Sequence, residues 1–385
     1  MTEVVITGGA RTAIGRFQGG FKEVPAYRLG AAAIEAALER AGVDKAEVES
    51  VVMGCVAEVG PDAYNARRCA LEAGIPVSVP AYNVNRLCSS GLQAIWSGVK
   101  DIQVGDAQIV VAGGDENMTQ QPFFDYSARN GSPLGDRKLV DGTLSLVTDP
   151  WGNYAMGETA ERVADRFGIT RERQDRLALR SQERAAAAIA AGAFVAQIVA
   201  VGDVATDEHP RATTLEKLGS LKTVFRKEGT VTAGNASGIN DGGAAVVLES
   251  AASAAAAGRR PLARFVGATV TALEPEIMGF APASAVKKLM AKLGLSLDQM
   301  DVIELNEAFA AQVLAVIDDL GIAEDDPRLN PEGGAIALGH PIGATGALLT
   351  VKAIDQLHRN GGRYGLVTMC IGGGQGMAAV FERVS

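Results

Sequence analysis

The chain opens with a short apolar run, Val4-Val5-Ile6, which reads as a strand entering a glycine-rich turn. Residues 28–41 then place apolar side chains at helical spacing and stop at Gly42, as expected of a helix closed by glycine. The run 50–56 predicts a buried strand, 80–87 an extended lead into a helix over about 89–104, and 108–113 another buried strand. Strands that alternate with helices imply parallel α/β layers. Between about 118 and 239 this rhythm breaks: proline-marked loops, a long Ala-rich helix predicted at 172–192 and many charges point to an inserted loop domain. After Gly242-Gly243 the run AAVVLE supplies a strand that closes the first half, at about 240–262.

From 263 the first rhythm returns. Strands are predicted at 263–270, 301–305, 364–369 and 377–381, and helices at 282–293, 307–320 and 347–359, with a glycine-rich turn at 333–346. The chain thus reads as one α/β unit used twice, in residues 1–117 and 263–385, with 118–239 as the insertion. The helix that opens near Cys88 corresponds to the helix after His340, and the strand before Gly113-Gly114 to the strand before Cys370. Two stacked units with a lid-like insertion favour a ligand site at their junction.

Composition narrows the function. A length of 385 residues suits two or three units, and 47% hydrophobic with 21% charged residues is ordinary for a globular protein. The net charge of −9 argues against a nucleic-acid partner. No apolar run reaches the roughly 18 residues that a membrane span needs. The first residues lack a signal-peptide pattern, so a reducing cytoplasm and free thiols are expected for Cys55, Cys69, Cys88 and Cys370. There is no CxxC pair, so no metal is expected.

Several short patterns carry chemistry. The segment 7–15 (TGGARTAIG) follows a strand, but Thr12 sits where a dinucleotide turn needs its second glycine, so nucleotide binding is not expected there. Cys88 lies where an extended segment becomes a helix; a thiol at a helix N-terminus meets free N–H groups that favour the thiolate. Cys55 and Cys69 sit on apolar elements and read as core. His340 stands among glycines just before a predicted helix, where an imidazole can take a proton from a thiol or donate to an oxyanion. His209 and His358 lie among charged residues and read as surface. Cys370 ends a buried strand and opens the glycine-rich turn that contains Gly372. Asn306, at a strand-to-helix junction, reads either as a helix cap or as a group that holds a water.

Taken in order, Cys88 in NRLCSSGLQA, Asn306 in NEAFA, His340 in GGAIALGHPIGATGA and Cys370 in CIGGGQG resemble the thiolase family. The resemblance runs over nearly the whole chain, including TVTAGNASGINDGG at 230–243 and MGETA at 156–160, and looks most like bacterial 3-ketothiolases of the acetyl-CoA acetyltransferase type. It implies the thiolase-like α/β fold: two βαβαβαββ halves stacked in five α-β-α-β-α layers, with the loop domain inserted. It implies Claisen condensation and thiolysis of 3-ketoacyl-CoA, with Cys88 as acyl carrier, His340 as its base and Cys370 as acid/base. His340 and an Asn306-held water would serve one oxyanion, and the N–H groups of Cys88 and Gly372 another. CoA, as substrate rather than as a permanent cofactor, would meet Arg211 at its adenine end and Ser237 at its pantetheine. Phe225, Ala233, Met156, Met278 and Phe309 would line the tunnel. The resemblance also implies a homotetramer built from tight dimers, or the dimer alone, with acyl-CoA substrates as its partners; a cytoplasmic protein with no nucleic-acid or membrane partner remains the expectation from composition. Three departures stand out: Ser89 where glycine is usual, Ala155 where many biosynthetic members carry His, and Pro331-Glu332 before Gly333. A ketoacyl synthase shares the fold but pairs Cys with two His, or with His and Asn; this chain has Cys370 instead.

Overall fold

The computed structural model describes residues 2–131 and 134–384. The first half consists of Val4–Thr12 (β1), Ala26–Ala41 (α1), Ser50–Gly54 (β2), Asn65–Glu72 (α2), Ala81–Val84 (β3), Ser90–Val104 (α3) and Ile109–Asn117 (β4). Two helices, Met156–Phe167 (α4) and Arg171–Ala190 (α5), precede Asn240–Ser250 (β5). The second half contains Ala263–Ala272 (β6), Ala281–Leu293 (α6), Met300–Leu305 (β7), Ala310–Leu320 (α7), Thr345–Asn360 (α8), Tyr364–Ile371 (β8) and Gln375–Arg383 (β9).

The repeat expected from element order is visible in the strand pairing. In the first half β2 runs parallel to β3 and β4, β4 antiparallel to β5, and β5 antiparallel to β1. In the second, β7 runs parallel to β8, β8 antiparallel to β9, and β9 antiparallel to β6. The order β2-β4-β5-β1 thus recurs as β7-β8-β9-β6. The counterpart of β3 is reduced to one parallel bridge between Ile303 and Leu329. The two sheets join along one edge, where β1 meets β6 at Val5–Arg264 and Ile6–Ala263.

Helices α3 and α8 form the central layer, with α8 packed both on its own sheet and on β4 and β5 of the other. Helices α1 and α2 cover the far face of the first sheet and α6 that of the second, which gives five layers. The main core lies between the sheets and includes Ile95, Val110, Val246, Leu348 and Phe381. The first turns of α3 and α8 touch: a Cβ on Gly346 would stand 2.3 Å from the backbone nitrogen of Leu92. Only glycine permits this approach, and it brings the loops that feed the two helices together.

Two local expectations are corrected. The glycine-rich stretch after Ile6 is not a turn; β1 continues through it to Thr12. Its glycines serve close packing instead, since a Cβ on Gly8 would lie 2.4 Å from the carbonyl oxygen of Ala37 on α1. The helix expected at 307–320 starts only at Ala310. Residues 308–310 are held extended by pairing with 235–237, through Ser237 N–H to Ala308 O at 2.9 Å and Ala310 N–H to Asn235 O at 2.8 Å. Asn306 is therefore not a helix cap.

Candidate active site

Cys88 sits in a tight loop just before α3. Leu87 is held at φ 47°, a left-handed conformation rare for a bulky residue. Side chains fix it there: Asn85 Oδ1 accepts from Leu87 N–H at 3.0 Å, Ser90 Oγ accepts from Arg86 N–H at 2.9 Å, and Ser90 Oγ–H donates to Leu87 O at 2.7 Å. The expected depression of the thiol is overturned. Burial pushes Cys88 up to about 11, and the nearby Glu116 carboxylate adds to the rise. The N–H groups of Gly372 and of Cys88 itself pull the other way without prevailing. The Cys88 thiol is neutral at rest.

His340 supplies the complementary group. Burial pushes its imidazole down to about 4, so it is neutral at physiological pH. Thr345 Oγ1 lies 2.7 Å from Nδ1 and donates its own hydrogen to Pro341 O at 2.8 Å. That hydroxyl can therefore only accept from the ring, which assigns the proton to Nδ1 and leaves Nε2 as the acceptor end of the ring. Asn306 Nδ2 stands 3.4 Å from Nε2, and Asn306 Oδ1 is buried with no protein partner.

Cys370 is buried at the end of β8, against Met278 and Ala308, with Met156 and Phe309 packed beside them. Burial, with Cys88 close by, pushes its thiol well above the usual range. Cys88, His340, Cys370 and Gly372 all line one cavity of about 470 Å³. Met156, Phe225, Ser237, Met278 and Phe309 line it too, as does Ala155. Asn306 is not in the lining and touches the site through His340. Arg211 and Ala233 also lie outside it; both are exposed, and the Arg211 guanidinium donates to Ala233 O at 2.6 Å. A hairpin-like flap covers one side, with Thr148 bridged to Ala155 and Met156 N–H donating to Val147 O at 2.8 Å. The side chain of Trp151, at the flap's tip, meets Gly373.

Sequence reasoning missed the groups behind the site. Glu116, at the end of β4, is buried and accepts from Val56 N–H at 3.0 Å, Ala57 N–H at 3.2 Å and Gly343 N–H at 3.0 Å. It thus ties the loop after His340 to the half that carries Cys88, and burial pushes its carboxyl up to about 8. A charged pair, Asp115-Glu116, on an otherwise apolar strand was the available signal. Asn240 accepts from His340 N–H at 3.0 Å and donates to Gly15 O at 2.9 Å. His209, expected on the surface, is half-buried with Nδ1 3.4 Å from Asn240 Nδ2. Burial drives it down to about 4. His358 is exposed, as expected. Cys55 and Cys69 are buried. Among the described residues there is no cluster of His, Cys, Asp and Glu able to hold a metal, and no helix is long and apolar enough to cross a membrane.

The family described as "Thiolase, N-terminal domain" matches residues 4–252, and "Thiolase, C-terminal domain" matches 259–383. A "Beta-ketoadipyl-CoA thiolase" of Acinetobacter baylyi is 49% identical, with all of both chains covered. An "Acetyl-CoA acetyltransferase" of Pseudomonas aeruginosa is 47% identical, again over all of both. Human mitochondrial 3-ketoacyl-CoA thiolase, solved in complex with CoA, superposes with a TM-score of 0.97 at 42% identity, over 100% of this chain and 98% of that one.

Proposed function

The chain belongs to the thiolase family and is a CoA-dependent acyltransferase of 3-ketoacyl-CoA; from that premise we propose that it works through an acyl-Cys88 intermediate. The observation that carries this reading is a neutral imidazole, with Nε2 unprotonated and engaged only at 3.4 Å by Asn306 Nδ2, in the same cavity as a neutral thiol. Neither group is charged at rest, so the proton passes from Cys88 to His340 only as sulfur attacks the thioester. The N–H groups of Cys88 and Gly372 hold the oxyanion that forms; a donor of this kind is worth about 10²–10³ in rate. As acyl-Cys88 forms, the departing CoA sulfur takes the proton of Cys370, and the Cys370 thiolate so formed removes a proton from the methyl carbon of the second acetyl-CoA; Cys88 recovers its own proton from His340 when the enolate displaces it. His340, with a water on Asn306 Oδ1, holds the resulting enolate oxygen, and the enolate attacks acyl-Cys88. Thiolysis runs the same steps backwards.

The apolar walls of Phe225, Met156, Met278 and Phe309 suit pantetheine, with Ser237 as its polar contact and residues 118–239 as the CoA-binding unit. Arg211 and Ala233 belong to the outer part of that path, toward the adenine. Ala155 leaves room beside the thioester for more than the shortest chain. The enzyme is assigned to fatty-acid-type metabolism in the cytoplasm as a homotetramer. Exposed apolar side chains at Phe123, Tyr126, Leu139 and Leu144 support assembly, and light scattering measures it. The central test is mass spectrometry after mixing with acetyl-CoA. An acetyl group on the Cys88 peptide, absent from Cys88→Ala, is expected, with kcat of that variant down by about 10⁴-fold or more. An unmodified Cys88 in the active enzyme sinks the covalent mechanism.

A further inference from the structure

Beside the Met278–Ala308–Cys370 group, the cavity has two further apolar walls built from separate groups of side chains. On the loop-domain side, Ala160, Val231 and Ala236 pack with Phe225 and Phe309. Around the nucleophile, Val56, Met118 and Ile342 form a buried group, with Leu87, Cys88, Leu146 and Val147 packed against it. A group carried on Cys88 therefore enters the second wall, away from the pantetheine path. We infer that this wall is the acyl-chain subsite for an uncharged, apolar chain, and that it rejects an acyl chain ending in a carboxylate. The inference rests on the thiolase reading and names its substrate class.

Charge decides the matter. Among the described residues that line the cavity the only ionisable side chains are Cys88, His340 and Cys370. No lysine or arginine is among them, and His340 is neutral. Arg86 sits beside Leu87, but its guanidinium is turned onto the side-chain oxygens of Gln93 at 2.8 Å and Gln375 at 3.3 Å. Directly behind the wall lies an acid instead: Glu116 is bonded to the N–H of Val56, which lines the cavity, and to that of Gly343, which follows the lining residue Ile342. A carboxylate at the far end of a short chain would sit only a few bonds from the thioester carbon. It would lose its water there and find no cation, which is strongly unfavourable. A methyl group at the same place meets Met118, Val147 and Ile342.

The test uses two substrates of equal carbon number, 3-ketohexanoyl-CoA and 3-ketoadipyl-CoA, which differ only in a terminal methyl or carboxylate. In each, Cys88 sulfur bonds to the keto carbon and the C2–C3 bond breaks. Its electron pair leaves on C2 as the acetyl-CoA enolate, which takes a proton from Cys370. CoA thiol then gives its proton to Cys370 and displaces Cys88 from the butyryl or succinyl thioester, and Cys88 recovers from His340 the proton it lost on attack. In thiolysis, kcat/KM is expected to favour the hexanoyl substrate by about 100-fold or more; a preference under tenfold, or a reversed one, overturns the inference. Acetoacetyl-CoA, run in parallel, separates the two readings, because failure to cleave all three substrates removes the thiolase assignment itself. Val147→Lys places a cation in the wall. The hexanoyl-to-adipyl ratio should then fall at least tenfold, and an unchanged ratio in a variant that still cleaves acetoacetyl-CoA means the chain does not lie along this wall.

Discussion

Thr345 does for His340 what no other neighbour does. Because its hydroxyl hydrogen is committed to Pro341 O, its oxygen fixes the imidazole proton on Nδ1. Thr345→Val keeps the shape and removes the acceptor, leaving a buried N–H unpaired at a cost of about 1–3 kcal/mol. The ring is then driven to the other tautomer, with its base blocked. A kcat lower by roughly 10–100-fold is expected on that energy scale, with recovery in Thr345→Ser; steady-state kinetics with acetoacetyl-CoA decides it. Glu116 gives a second test at this scale. Its carboxylate disfavours a negative sulfur, so Glu116→Gln should bring the Cys88 thiol down from about 11. The pH midpoint of iodoacetamide alkylation should move to lower pH in the variant. An unmoved or higher midpoint would show that Glu116 does not act on the sulfur through its charge.

Secondary elements show which parts of this molecule a sequence exposes. Strands such as Ile109–Asn117 and Tyr364–Ile371 are buried along their whole length, so they stand out as apolar runs. Helices α1, α3, α6 and α8 are legible from periodicity and from the glycines that follow them. The segment 306–309 is not legible. Its composition continues the helical pattern of α7, and pairing with remote segments straightens it: Asn306 N–H bonds Thr368 O at 3.0 Å, and 308–310 pair with residues 235–237, some 70 positions away. Cys88, His340 and Cys370, which share one cavity, stand out in the sequence because each sits in a distinctive short motif. Glu116 and Asn240 do not, since their partners are main-chain N–H groups remote in sequence. The contact between α3 and α8 is equally silent until the backbone is seen. Gly346→Ala forces a methyl group onto the Leu92 backbone, so the helices must part. A loss of about 1–3 kcal/mol or more is expected, read as a lower urea midpoint, together with reduced kcat as the two catalytic loops separate.

Across the whole molecule, buried acids set the response to pH. Burial pushes Asp115 up to about 7, Glu116 to about 8 and Asp241 to about 6, all above ordinary carboxylate values. A raised carboxyl favours the folded state when protonated, so this stabilisation is complete below the unfolded-state values near pH 4 and disappears as pH rises through about 6–8. Glu158, held low by Arg226, and Asp326, held low by Arg328, act oppositely and lose their contribution as pH falls below about 4; His340 and His209, pushed down to about 4, also oppose the acids as pH falls below about 6.5, but the larger carboxyl shifts outweigh them. The urea midpoint is therefore expected to be higher at about pH 5.5 than at about pH 8.5. Equal midpoints would mean these acids are not desolvated in the folded protein.

Strand β1 also has a bearing on how the molecule comes into being. It begins the chain, yet its long neighbours are β5, at 240–250, and β6, at 263–272. A ribosome adding about 5–20 residues each second leaves β1 without either neighbour for roughly 10–50 s. During that interval Val4, Val5 and Ile6, all buried in the finished sheet, have no strand beside them. The first repeat cannot close as an early, self-sufficient module on the ribosome. Its completion coincides with the arrival of the second, and a nascent chain released before residue 250 carries an open sheet edge that invites association with other chains.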